Sequence, residues 1–163
     1  MRETVRQSLE AGGLVAVPGL LAWLTGFPFL FPSLGPTAYV LSVRPTEPTC
    51  APRRVVGGHI VGVVAGLLAF SLLAPSVAVN GSLAPASSVG LRIAASGVLA
   101  TALTAFGMLA TDLRHAPACA TTLIVSLGLL STVPEAVGIV GAVLVLVVIH
   151  QFAYRAGLVT ATQ

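Results

Sequence analysis

Val55-Val56-Gly57-Gly58-His59-Ile60-Val61-Gly62-Val63-Val64 lies over Ile139-Val140-Gly141-Ala142-Val143-Leu144-Val145-Leu146-Val147-Val148 at a shift of 84 residues. The same shift sets Gly35-Pro36-Thr37-Ala38-Tyr39-Val40-Leu41-Ser42 over Cys119-Ala120-Thr121-Thr122-Leu123-Ile124-Val125-Ser126, with no gap between the two matches. The sequence therefore reads as two copies of one mostly apolar unit, at about residues 8–75 and 89–156, within a single membrane domain spanning 1–163. Duplicated apolar units are a common plan among membrane transporters, whose sites form where the copies meet.

Composition fixes the class. Mean hydropathy is +0.99, and only 8% of the residues are charged. A water-soluble domain of this length needs far more charged surface. Several apolar runs approach or exceed the roughly 20 residues that cross a bilayer. The expected fold class is all-α, a polytopic membrane helix bundle. All eight basic residues are Arg, and the net charge is +3. In such a chain an Arg excess records topology, and no basic run interleaved with aromatics points to nucleic acid. The N-terminal apolar stretch behind Arg2 and Arg6 continues too far for a signal peptide and reads as the first membrane helix. Cys50 and Cys119 have no metal-type spacing and read as structural thiols. Asn80-Gly81-Ser82 fits a glycosylation sequon, and a tight turn explains it equally well.

Proline and glycine punctuate the chain. The first helix is expected at about 9–24, followed by a non-helical stretch, Phe27-Pro28-Phe29-Leu30-Phe31-Pro32. A short helix at 33–43 follows, with Ser33 as its N-cap and Pro45 ending the segment. A polar loop at 44–54, held extended by Pro45, Pro48 and Pro52, leads to a third helix at about 55–74. That helix carries Gly58, Gly62 and Gly66 at four-residue spacing, a stripe that admits another backbone closely. The stripe offers a contact face for a homo-oligomer or for packing within one monomer. A fourth helix at about 89–111 precedes the charged knot Asp112-Leu113-Arg114-His115. A second short helix is expected at about 117–130 and a last one from 134 to about 154.

Each copy is thus helix, short broken helix, helix. If the short helices cross the membrane, each copy crosses three times and the second copy is inverted. Arginine placement favours that reading. With six crossings and both termini cytoplasmic, Arg2, Arg6, Arg44, Arg53, Arg54, Arg114 and Arg155 lie inside and only Arg92 outside. With four crossings the split is four to four. The expectation is an integral protein of the cell (inner) membrane, built from an inverted internal repeat.

The first short helix covers only about 16 Å of a roughly 30 Å hydrocarbon layer. The extended 27–32 stretch must supply the rest, and such backbone is tolerated only where protein or a water-filled cavity covers it. The two short helices would aim their N-termini at one shielded place, which suits an anion. Ser33, Gly35 and Thr37 are the first candidate substrate-binding set, since hydroxyls donate and glycine admits a ligand to the backbone. Pro117, Cys119 and Thr121 are the second, among small residues that leave N–H groups open. His115, with Asp112 and Arg114 beside it, and His59, after Gly57-Gly58, are candidates for gating or proton handling. His59 could also bond the 44–54 loop. Phe27, Phe29 and Phe31 fit helix packing better than an outer gate. No nucleophile elbow, metal-spaced histidine pair or close carboxylate pair occurs, so neither an enzyme nor a cofactor is expected.

Two segments resemble the HPP family of integral membrane proteins. The family is named for a His-Pro-Pro motif running into Ala-Gly-Ala-Thr-Ala. Its counterpart here reads His115-Ala116-Pro117-Ala118-Cys119-Ala120-Thr121-Thr122, with Ala116, Cys119 and Thr122 replacing a proline, the glycine and the last alanine. The family's Pro-Ser-Phe-Gly-Ala, proline-rich loop with Pro-Arg-Asn, and Gly-Gly-His are similar to Pro32-Ser33-Leu34-Gly35-Pro36, Pro45 through Pro52-Arg53-Arg54, and Gly57-Gly58-His59. The resemblance implies a small protein usually described with four spans, whose plastid and cyanobacterial relatives are linked to nitrite transport. The function expected is a transporter or channel-like facilitator for a small anion, nitrite foremost, with the bilayer and that anion as partners. The alternative is a non-transporting membrane scaffold or assembly protein.

Overall fold

The computed structural model describes residues 1–75, 77 and 83–157. The Asn80-Gly81-Ser82 sequon lies outside them. Six α-helices and one 3-10 turn, with no strand, make up the regular structure of the described residues. They are α1 (Arg2–Thr25), α2 (Leu34–Val43), the 3-10 turn Pro48–Cys50, α3 (Pro52–Leu73), α4 (Ser88–Ala110), α5 (Ala118–Ser126) and α6 (Val133–Arg155). Four of them, α1, α3, α4 and α6, are long and apolar enough to cross a membrane. The duplicated pattern of long, short and long helices is present in both halves.

The ends follow local chemistry. α1 begins seven residues before the expected 9, at Arg2, because its polar first turns are tied by Arg6 to Glu10 at 2.8 Å and Gln7 to Glu3 at 3.3 Å. Gly26, at φ 68°, closes it by returning its N–H to the Ala22 carbonyl. α5 stops at Ser126 rather than near 130 because Gly128, at φ 78°, turns the chain away. Proline in the first turn opens α3 and α6. Ser87 caps α4 through the Gly90 N–H, and Thr132 with Glu135 forms a reciprocal capping box on α6.

α3 is the spine, packed most extensively on α4 and α5. Its glycine stripe faces α5 within the same chain. A Cβ placed on Gly62 would come 2.8 Å from the Ala118 carbonyl oxygen and 2.9 Å from Thr122 Oγ1. One placed on Gly66 would come 2.7 Å from Val125 Cβ. Gly58, Gly62 and Gly66 meet His115, Ala118 to Thr122, and Val125 in turn, so α5 runs alongside α3 in the same direction. α2 lies along α1 in the opposite sense: Tyr39 and Val43 near its end share a groove with Thr4, Gln7, Ser8 and Ala11 near the start of α1. α6 joins the α1–α2 pair to α3, with Phe27 seated on Gly138 and Phe29 near Gly141. The phenylalanines therefore serve packing.

Leu34, Leu41, Val55, Ile139, Val143 and Leu146 form the buried centre of the main apolar cluster. The outer surface is just as apolar. Trp23, Leu72, Leu91, Val98, Phe106 and Phe152 are all largely exposed. In water such a belt would drive aggregation, whereas lipid solvates it and the helices satisfy their own backbone groups. The molecule is an integral membrane helix bundle.

Candidate functional site

Polar groups collect at one point inside this apolar bundle. Ser33, Thr37, His59, His115 and Thr121 are all inaccessible to solvent. They come from the N-cap and first turn of α2, from α3, from the loop before α5, and from the first turn of α5. Ser33 Oγ lies 2.7 Å from Thr121 Oγ1, so the N-terminal ends of the two short helices meet. His59 stands between the threonines, with Nε2 3.1 Å from Thr37 Oγ1 and Nδ1 2.7 Å from Thr121 Oγ1. Those two threonines lie over one another at the 84-residue shift. One imidazole thus joins the first turns of both short helices.

His115 enters from the other side. Its Nδ1 is 2.9 Å from the Thr49 carbonyl oxygen and its Nε2 is 3.4 Å from Thr37 Oγ1. The two rings are 5.4 Å apart, centre to centre. Thr37 also donates to the Ser33 carbonyl at 2.9 Å, one helical turn back. Burial holds the His115 imidazole below its ordinary pKa, with the Thr49 carbonyl partly opposing. The 3-10 turn covers the cluster. Thr49 donates to the Arg114 carbonyl at 3.0 Å, and the Cys50 thiol donates to the Arg44 carbonyl at 3.1 Å. Burial, aided by the Glu47 charge, pushes that thiol up to about 11, so it remains a donor.

Not every candidate residue joins the cluster. Positions 33 and 37, like 117 and 121, are four apart and share a helix face, whereas 35 and 119 fall on the opposite face. Gly35 is exposed accordingly, and Cys119 is half-buried. Pro117 is buried as the N-cap of α5. Asp112 and Arg114 stay at the surface. Asp112 pairs with Arg54 at 2.6 Å and with Arg114 at 3.4 Å, and the Arg54 hydrogen bond holds its carboxyl below the usual range. The link to the 44–54 loop expected of His59 is made by His115 instead, because His59 sits a turn further along α3 and faces inward. Thr49 was not anticipated. Neither was a second polar layer, in which Thr104 and Thr122 hydroxyls meet at 2.8 Å and Ser96 donates to the Ser126 carbonyl. The doubled Thr121-Thr122 was the available signal. Cys50 and Cys119 are free thiols, and no group of three or more potential metal ligands occurs among the described residues.

Two broken helices meeting at buried histidines and hydroxyls, inside a small bundle with four long apolar helices, define a class of multi-spanning membrane protein. The family profile described as HPP, transmembrane region, matches residues 1–157, and the chain belongs to that family. No curated protein and no solved structure matches it.

Proposed function

We propose that the protein carries a small anion, nitrite foremost, across the cell (inner) membrane. The anion would lie between the N-terminal ends of α2 and α5. The observation that carries this reading is the Ser33–Thr121 contact at 2.7 Å with His59 bridging Thr37 and Thr121. Ionisable and hydroxylic groups at membrane depth are costly and are usually kept for a substrate path. Hydroxyls, imidazole N–H groups and helix N-termini are the donors that an anion needs.

In this reading the two halves are inverted and both termini are cytoplasmic. Support comes from helix directions. α2 returns along α1, and α5 follows α3 but opposes α4, where Gly97 meets Leu123 and Leu127 while Thr104 meets Thr122. Thr49 and, at the start of α3, Arg54 then share one side with Asp112 and Arg114, which fits the arginine bias. No enzymatic step is assigned to the cluster. Its groups are bonded to one another, so the conformation is closed. That closure also favours a second reading, a non-transporting scaffold whose filled centre only locks the halves together.

Flux separates the two readings. Nitrite uptake into proteoliposomes is expected to exceed that of protein-free vesicles and to fall by at least tenfold in Thr121→Val. Uptake equal to the protein-free rate would leave the scaffold.

A further inference from the structure

The hydrogen bonds of the cluster assign a role to each of its ring nitrogens. Thr37 has a single hydroxyl hydrogen, and the Ser33 carbonyl can only accept, so at 2.9 Å that hydrogen is committed there. Thr37 Oγ1 must therefore accept from His59 Nε2–H. His59 Nδ1 is then unprotonated and accepts from Thr121, whose oxygen accepts from Ser33. His115 Nδ1 must carry hydrogen, because the Thr49 carbonyl can only accept. This assignment satisfies five of the six contacts with both rings neutral. The opposite tautomer of His59 would take the Thr37 hydrogen from the Ser33 carbonyl and leave one of the Ser33 and Thr121 hydroxyls without an acceptor.

The sixth contact, His115 Nε2 to Thr37 Oγ1, is the longest at 3.4 Å. With neutral His115 it sets a lone pair against an oxygen whose hydrogen points elsewhere. A proton on His115 Nε2 would turn that contact into a hydrogen bond onto the second lone pair of Thr37 Oγ1.

We propose that His115, with Nδ1 engaged and Nε2 facing Thr37, couples the anion to a proton: nitrite and one H+ enter the site together, the proton on His115 Nε2, and both leave together. The inference rests on the anion reading above. In the step, a hydronium ion of the bulk water gives H+ to the Nε2 lone pair and leaves as water. No other bond breaks, and the site's net charge with nitrite bound is zero.

The surroundings fit. His59 from α3 is the titratable group facing His115, and at 5.4 Å between ring centres a second imidazolium is disfavoured. α2 presents Thr37 and Ser33, and the 3-10 turn presents the Thr49 carbonyl, with Cys50 bonded away to Arg44. Asp112 and Arg114 on the same loop are engaged at the surface with Arg54. Arg53, at the start of α3, is also exposed, half-buried Cys119 follows on α5, and the one charged residue of α4, Arg92, bonds the Leu73 carbonyl. Among these groups no carboxylate faces the imidazolium. Burial disfavours that charge in the empty site, and an anion beside it removes the penalty, so each ligand raises affinity for the other.

Charge movement provides the test. Proteoliposomes holding the full chain receive external nitrite under an inside-positive potassium diffusion potential set by valinomycin. Protein-free vesicles give the background from nitrous acid. Coupled uptake is electroneutral, so the wild-type initial rate is expected to be unchanged by the potential, whereas His115→Gln uptake is expected to rise several-fold. In parallel, histidine 15N spectra of the wild-type protein should show His115 Nε2 unprotonated without nitrite and protonated with it, while His59 stays neutral. That measurement stands even if the variant does not fold. Wild-type uptake that rises with the potential, or an Nε2 left unprotonated with nitrite bound, overturns the coupling and leaves anion transport intact. No wild-type uptake above background overturns both.

Discussion

α2 and α5, the two short helices, align at the 84-residue shift yet are held in different ways. α5 is clamped. Ala118, Thr122 and Val125 press on the glycine stripe of α3, and α4 closes the other side. α2 packs chiefly on α1 and touches α6 more lightly. Its hydrogen bonds across the centre run through side chains, Ser33 to Thr121 and Thr37 to the two histidines. Backbone-close packing tolerates almost no displacement, whereas side-chain hydrogen bonds can be exchanged for a ligand. The contrast teaches where backbones are in closest contact: α3, α4 and α5 form the tightly packed wall, and α2 reaches it across the polar centre through side chains.

The hardest blow to this asymmetry is Gly62→Leu. Its first side-chain carbon would already meet the Ala118 backbone at 2.8 Å, so nothing flexible can yield. The expected cost is about 3 kcal/mol or more, seen as lost thermal stability and aggregation in detergent. If Gly62→Leu stays folded with an unchanged melting temperature, α5 is not clamped.

Thr121→Val keeps shape but leaves the Ser33 hydroxyl and His59 Nδ1 each without a partner. A loss of about 1–3 kcal/mol is expected in thermal unfolding, with the chain still folded. An unchanged midpoint would mean that the central bonds contribute nothing to holding the halves together.

Acid weakens the same junction. His115 has its pKa lowered from 6.5 by burial, so below that value the unfolded chain binds more protons than the folded one. Its contribution to stability is complete above pH 6.5 and is lost as the pH falls through the range beneath. The melting temperature should therefore drop on acidification, and His115→Gln should flatten that dependence. The mildest change is Gly35→Ala. An added Cβ meets nothing within 4 Å, so stability should move by less than about 1 kcal/mol, in contrast to Gly62.

The sequence made this asymmetry only partly readable. Self-similarity at 84 residues brought out the two threonines, and proline placement brought out the break before α2, because both are features of local pattern. The glycine stripe announced a close contact without naming the partner, since spacing says which face is bare and not what covers it. Gly35 reads with Ser33 and Thr37 because glycine admits a ligand to the backbone, although a two-residue step crosses the helix to the other face. Phe31 and Val143 stand where the other copy carries His115 and His59. Nothing local announces that those two histidines, one from each half, share a single threonine. That pairing depends on how the halves cross, and so does the Thr49 turn that covers it.

Bromide soaked into crystals of the protein, with nitrite as competitor, tests the central site most directly, because the halide scatters anomalously. The account predicts a peak between the Ser33 and Thr121 hydroxyls, their 2.7 Å contact opened by movement of α2 and the peak lost when nitrite is added. Bromide found only beside the surface arginines, with that contact intact, would contradict it.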